Sequence, residues 1–288
     1  MRQQNPSQPE SAPTPLDLRR PLSRREALSL LGSTAGAAFV VGCGGGVTST
    51  VAGTTSGSTS GTTTPTTTGS CTKVAEETAG PFPSNGSNTN AGVTKNVLAD
   101  SRVFRSDIRS DLDGSNTQPG TPFTVTLTVL NLNGSCAVLA GYYVYLWHCN
   151  ATGSYSQYSG NNNGGDFSDR SFLRGVGVTD ANGQVSFTTI FPGRYAGRAT
   201  HMHFQVFPDN TPSNGEQRAT SQLAFPPSIT DGSGSPYTNT TLYPSSASNN
   251  TSNSSDNVFS DGTSTEMLSI TGNNSSGYVG TITVAIAA

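Results

Sequence analysis

The chain has 288 residues, only 11% of them charged, and a net charge of −3, where about a quarter charged is usual for a soluble globular domain. Its 33 Gly and 17 Pro disfavour helical bundles and coiled coils. With no basic stripe to neutralise phosphates, nucleic-acid binding is excluded.

Five arginines, Arg2, Arg19, Arg20, Arg24 and Arg25, precede an apolar stretch from Ala27 to Val41, which is shorter than the roughly 20 residues a membrane span needs. Residues 1–42 therefore read as a signal peptide. Within them Ser23-Arg24-Arg25-Glu26-Ala27-Leu28 resembles a twin-arginine export signal, and Val40-Val41-Gly42-Cys43 resembles a bacterial lipobox. The expectation is a protein exported by that route and lipid-anchored through Cys43 in the bacterial cell envelope, touching membrane only through the anchor. From Gly44 to Ser70 there is no charged and no aromatic residue. Such a composition cannot bury enough apolar surface to offset its ordering entropy, so residues 43–70 read as a flexible tether. The folded domain is expected over residues 71–288.

In that domain the strand signals dominate. Period-two alternation predicts strands over Phe123–Leu130, Tyr143–Trp147, Gln184–Ile190, His203–Phe207 and Tyr278–Val284. Asn133-Gly134 and Asn182-Gly183 are predicted as hairpin turns. Leu98–Ile108 has a weak helical flavour. The chain from Pro208 to Asp261 is loop-rich, with a polar patch at Ser245–Asp256 that reads as disordered or as a surface excursion. No internal repeat is evident. The fold class expected is all-β, an antiparallel β-sandwich with long loops. Once Cys43 is lipidated, three cysteines remain. One disulfide is expected, Cys71 to Cys136, because Cys71 opens the domain and Cys136 ends a strand beside a glycine turn; Cys149 is then a buried free thiol.

Two of the three histidines form His201-Met202-His203. In a strand, residues i and i+2 share a face, so both imidazoles can reach one ion while Met202 packs behind. The remaining ligands discriminate among metals. A zinc site needs a third His or a carboxylate, with His148 the only spare His. A ferrous facial triad needs a nearby carboxylate, of which Asp209 is the nearest downstream. Phenolates are the third option, with Tyr155, Tyr158 and Tyr195 at hand. A phenol with pKa near 10 is ionised at neutral pH only on a strongly Lewis-acidic ion, and two phenolates with two imidazoles suit Fe³⁺.

The stretches Trp147-His-Cys-Asn-Ala-Thr-Gly-Ser-Tyr155-Ser-Gln-Tyr158, Phe172-Leu-Arg-Gly175, Thr179-Asp-Ala-Asn-Gly183 and Pro192-Gly-Arg-Tyr195-Ala-Gly-Arg198-Ala-Thr-His201-Met-His203 resemble the core of the intradiol ring-cleavage dioxygenases. The resemblance runs over about 76–284. It implies a non-haem Fe³⁺ held by Tyr155, Tyr195, His201 and His203, with Tyr158 a neighbour and Arg198 the active-site arginine. It implies a small aromatic diol and O₂ as substrates, cleaved between the hydroxylated carbons to a muconate-type diacid, with Tyr195 the labile ligand that takes up a proton. Glu77-Thr-Ala-Gly80-Pro81-Phe82 resembles the segment lining the family's substrate pocket, to which Tyr158 and Arg194 are added as candidates. Phe82 stands where many members have Tyr.

Other readings are simpler for several residues. His148 reads as a hydrogen-bonded structural histidine. Arg194 could meet a substrate carboxylate or form a surface ion pair. Arg170 and Arg174, near Asp166 and Asp169, read as a solvated loop. Against the enzyme stand a non-catalytic, envelope-tethered binding module and a copper or zinc site built from His148, His201 and His203.

Overall fold

A computed structural model describes residues 70–288 except Ala247. The export signal, Cys43 and the tether up to residue 69 lie outside the described residues. A two-stranded hairpin comes first, β1 (Asn85–Asn90) and β2 (Val93–Asn96). Two larger sheets follow. One joins β3 (Pro122–Asn131), β4 (Ala137–Val138), β7 (Gln184–Ile190), β10 (Ser269–Asn273) and β11 (Gly277–Ile286). The other has the order β6-β5-β8-β9, from β5 (Tyr143–Trp147), β6 (Arg174–Val178), β8 (His201–Phe207) and β9 (Ala219–Ala224). Among the described residues the one α-helix is a single turn, α1 (Pro227–Thr230).

The alternation of β3 explains the sandwich. Phe123, Val125, Leu127 and Val129 point inward and are buried, with threonines between them. They join Val144 and Leu146 of β5 and Met202, Phe204 and Val206 of β8 in the main core. The second sheet is buried on its other face too, where Tyr145, Trp147, Val176 and Phe207 form a separate apolar cluster with Val97, Leu98, Val103, Tyr155 and Tyr158 from covering loops. All seven residues of β8 are buried. A strand buried on both faces is where a reactive group can be held away from water.

The all-β sandwich of mainly antiparallel strands with long loops is as expected, and three details of it need correction. One pair is not antiparallel, because β11 runs parallel to β3, pairing Tyr278–Ile286 with Phe123–Asn131. Parallel pairing needs a long connection, and the chain from β4 through β10 that separates the two strands supplies one. Asn133-Gly134 does link the antiparallel pair β3 and β4. Asn182-Gly183, by contrast, joins β6 to β7, which belong to different sheets. Its turn is set locally, by the Asp180 carboxylate accepting from the Asn182 and Gln184 amides and by Gly183 at φ +71°, and such chemistry does not fix which strands pair. Lastly, Leu98–Ile108 holds two 3₁₀ turns, Val97–Ala99 and Ser101–Val103, and no α-helix.

Cys71 and Cys136 are bonded, tying the start of the domain to the turn after β3, and Cys149 is free and buried. The loop-rich stretch is anchored at aromatic residues. Tyr243 donates to the Phe191 carbonyl and accepts from the Thr121 amide, and Tyr237 donates to the Pro192 carbonyl. The patch at Ser245–Asp256 is not a free excursion, since Ser246 and Asp256 are buried. Composition averages over side chains and could not reveal one acid with an internal partner.

Candidate metal centre

Strand β8 presents His201 and His203 on the loop-covered face and Met202 in the main core, as the period of two requires. The two tyrosines arrive on loops locked together by glycines. A Cβ on Gly193 would stand 2.5 and 2.6 Å from the carbonyl oxygens of Asn150 and Ala151, and one on Gly153 (φ +87°) 2.6 Å from the Arg194 carbonyl. The backbones leading to Tyr155 and Tyr195 therefore touch where no side chain fits. The Asn163 side chain further pins the Tyr155 loop, accepting from the Tyr155 amide and donating to the Tyr155 and Tyr158 carbonyls.

Three donor atoms meet as a result. Tyr155 Oη lies 3.4 Å from Tyr195 Oη and 3.3 Å from His201 Nε2, and Tyr195 Oη lies 2.9 Å from His201 Nε2. Donors about 2 Å from one ion are spaced about 3 Å apart, so this triangle fits a shared cation. His201 Nδ1 meets the Ala199 carbonyl at 2.7 Å, which fixes the tautomer and leaves Nε2 as the free donor. The His203 ring lies 4.9 Å from that of His201, stacks on Trp147 with a 6° interplanar angle, and has a buried Nδ1 with no partner. Among the described residues no group of three His, Cys, Asp or Glu could hold a metal; Asp209 only caps Thr211. The phenol-imidazole set fits a metal where a carboxylate site does not.

Burial sets the protonation of these four groups. It holds the Tyr155 phenol well above its ordinary value, with the neighbouring Tyr195 adding to the rise. It pushes Tyr195 up to about 12, against the lowering pull of Arg198. Burial first keeps both His201 and His203 far below the usual histidine range, followed by the charge of Arg198 at His201 and by those of His201 and Arg198 at His203. Left alone, the four groups are neutral at pH 7. A bound cation is what would draw off the phenol protons.

Arg198 borders this cluster, its Nη1 3.4 Å from His201 Nε2. Its Nε donates to both oxygens of Asp256 at 3.0 and 2.9 Å, and its Nη2 to Gln222 Oε1 at 2.6 Å. The Asp256 side chain is fully buried and also accepts from the Ala199 and Val258 amides. In the sequence Asp256 marks only the end of the polar patch that begins at Ser245. A lone acid 58 residues from its arginine carries no local signal.

The remaining candidates divide. Gly80 (φ +69°) passes so close to His203 that a Cβ there would stand 3.2 Å from its ring. Pro81, Phe82, Gly153, Arg194 and Tyr195 help line a cavity of about 570 Å³ that also takes in Asn161–Gly164. Tyr158 is not beside the donor triangle's atoms: its hydroxyl accepts from the Ser84 amide and donates to Asn88, and its ring packs on Phe82. The Arg194 guanidinium is engaged by Thr200, the Thr230 carbonyl and Asp231 and stacks on Tyr237, so it does form an ion pair, with its own side chain buried and the Asp231 carboxylate exposed. His148 is hydrogen-bonded at both nitrogens, to the Cys149 carbonyl and Thr189 Oγ1, which removes the third ligand of a His148, His201, His203 site. Arg174 corrects an expectation: it is fully buried on β6, not solvated.

Residues 101–229 match the family model described as Dioxygenase, a span that holds Tyr155, Tyr195, Arg198, His201 and His203. Among solved structures the chain is similar to an intradiol ring-cleavage dioxygenase from Tetranychus urticae, at 25% identity, covering 75% of this chain and 95% of that one with a TM-score of 0.55. It is also similar to the dioxygenase domain of a dioxygenase and carbohydrate-binding fusion from the cellulolytic bacterium Streptomyces sp. SirexAA-E, at 20% identity, 75% and 99% coverage and a TM-score of 0.46. No curated protein matches the chain.

Proposed function

We propose that this chain, a relative of the intradiol ring-cleavage dioxygenases, is a non-haem ferric enzyme that uses O₂ to cleave a catechol-type aromatic diol between its hydroxylated carbons, giving a cis,cis-muconate-type diacid. The observation that carries the reading is the meeting of two phenols and an imidazole at 2.9–3.4 Å, with a second imidazole beside them and no carboxylate in the set. Tyr155, Tyr195, His201 and His203 would hold the iron. Bound there, the ion would supply the Lewis acidity that lowers phenol proton affinity and makes the diol's ring reactive toward O₂.

The chain's own residues divide the other tasks. Tyr155 is fully buried and fixed by Asn163, which suits a permanent ligand. Tyr195 is partly open and forms part of the cavity wall, so its Oη is the oxygen able to take a proton from an entering diol. His201 presents its Nε2 lone pair because its Nδ1 proton is committed to the Ala199 carbonyl. Arg198, locked by Asp256 and Gln222, offers a preorganised positive charge where negative charge grows on the ring. Phe82 packs 5.1 Å from the Tyr155 ring and walls off water. Since Arg194 is already paired, the cavity favours an uncharged catechol over one bearing a carboxylate.

The basic run and Cys43 support export by a twin-arginine-like route and lipid anchoring at the envelope. Loss of metabolic acyl labelling in Cys43→Ser tests that part. The enzymatic reading is tested by loading the purified protein with ferric iron and recording its visible spectrum and its oxygen uptake on a panel of catechols. A tyrosinate-to-iron band and catechol-dependent uptake are expected. A colourless iron-loaded protein refutes the ligand set, and a coloured but inert one leaves the non-catalytic binding module standing.

A further inference from the structure

One row of residues crosses the loop-covered face of the four-stranded sheet: Arg174 on β6 opposite Trp147 on β5, Trp147 opposite His203 on β8, and His203 opposite Gln222 on β9. Gln222 at one end holds Arg198. Arg174 at the other end is 0% exposed and pairs with no carboxylate among the described residues; every bond it makes goes to a neutral oxygen. Its Nε donates to Ser156 Oγ at 2.9 Å and its Nη2 to the Ser156 carbonyl at 2.8 Å. Nη2 also reaches the Phe82 carbonyl at 2.9 Å, and Nη1 reaches the Pro83 carbonyl at 3.1 Å and Tyr145 Oη at 2.9 Å.

Burying a guanidinium without a counter-charge is costly and persists only where its geometry is used. Here each donor ends on a segment that shapes the metal centre. Ser156 follows Tyr155 directly. Phe82 packs on Tyr155. Tyr145 stacks on Trp147 at 4.7 Å, and Trp147 stacks on His203 at 4.9 Å. A planar fork with five fixed donors can span three segments at once, whereas an ammonium on a flexible stem cannot.

We infer that Arg174 is a positioning residue of the metal centre, setting the Tyr155 loop and the His203 stack in register with one another. The inference rests on the ferric reading above. A nearby arginine serves as control. Arg105 donates to the Arg174 and Ser171 carbonyls and to the Asp111 carbonyl, so it braces the same strand without touching Ser156, Phe82 or Tyr145 in those bonds.

The test compares Arg174→Lys, Arg105→Lys and the milder Ser156→Ala with wild type. The readouts are ferric affinity by titration, the visible charge-transfer band, the melting temperature of the iron-free protein, and kcat and KM for oxygen uptake. Arg174→Lys should lose about 10- to 100-fold in ferric affinity, the range for removing a partner that orients a ligand, with a shifted or weakened band and a fall in kcat larger than any rise in KM. Ser156→Ala should move the same readouts in the same direction by less. Arg105→Lys should lower the melting temperature and leave the band in place. If Arg174→Lys and Ser156→Ala both keep wild-type affinity and band while only melting earlier, Arg174 is merely structural and the inference is overturned. A wild-type protein that shows no band overturns the ferric reading, and the inference falls with it.

Discussion

Replacing Asp256 with Asn keeps the side chain's shape and removes its charge. The buried carboxylate accepts from Arg198 Nε at 3.0 Å on Oδ1 and 2.9 Å on Oδ2, from the Ala199 amide at 2.7 Å on Oδ2 and from the Val258 amide at 2.9 Å on Oδ1. Either orientation of the Asn amide turns an NH₂ toward one of those backbone N–H groups, so one buried donor is stranded. Bonds to a charged group contribute about 1.5–3 kcal/mol, and stranding one member of a buried pair costs about 3–5 kcal/mol. Arg198 retains some exposure, which places the expected loss lower, at about 2–4 kcal/mol. For a domain of this size that corresponds to a melting temperature lower by on the order of 5–15 °C. Because Arg198 also loses its anchor beside His201, kcat should fall by up to about 100-fold, the effect of a misplacement near 1 Å. Circular-dichroism melting of the iron-free protein and oxygen uptake of the loaded protein measure the two effects. A variant melting within about 2 °C of wild type and turning over at an undiminished rate would show that Asp256 does not hold Arg198 in the working enzyme.

Tyr155→Phe should bleach or strongly weaken the visible band of the iron-loaded protein, whereas Tyr158→Phe, whose hydroxyl serves Ser84 and Asn88, should retain it; the opposite pattern in the absorption spectra would exchange their roles. Gly153→Ala forces a side chain into a φ of +87° and against the Arg194 carbonyl, so it should destabilise the domain by at least about 1 kcal/mol and lower iron content, as read by urea unfolding and metal analysis. Burial, reinforced by Glu77 and Asp261, raises the Glu266 carboxyl to about 8, and its Oε2 is buried without a partner. The folded state thus holds a proton that the unfolded chain has released, and stability from this group is present below pH 4.5 and lost as pH rises toward 8. Glu266→Gln should flatten that part of the profile and be the more stable protein above pH 8; unchanged pH dependence of the urea midpoint would mean that Glu266 is ionised in the fold.

What the sequence disclosed is what local periodicity and spacing encode. The five predicted strands all exist, and the i, i+2 rule put both histidines on one face. The tyrosines took more, because two phenols on separate loops share no spacing with the strand; only the likeness to a known family of sequences singled out Tyr155 over Tyr158. Illegible were the contacts made by residues far apart in the chain. Arg174 looked solvated because acids lie near it in sequence, yet its fork closes on carbonyls of Phe82, Pro83 and Ser156. Asp256 sat in a stretch of Ser and Asn that resembles linker, and its meaning came only from Arg198. The direction of β11 likewise depends on where a long excursion ends, which no window of residues records.

Because β8 is buried on both faces, alternate residues of one seven-residue strand serve two masters: Met202, Phe204 and Val206 fill the sandwich, and His201 and His203 face the metal centre. A single inserted or deleted residue in this strand would swap the two sets, driving imidazoles into the oily interior and a thioether toward the proposed metal centre. Change of length is therefore closed to this part of the molecule. If the proposed activity holds, substrate preference is open to change in the loops over the cavity, around Pro81–Phe82, Asn161–Gly164, Ser245 and Asn249, where a new side chain can be tried without disturbing the strand that carries the two histidines.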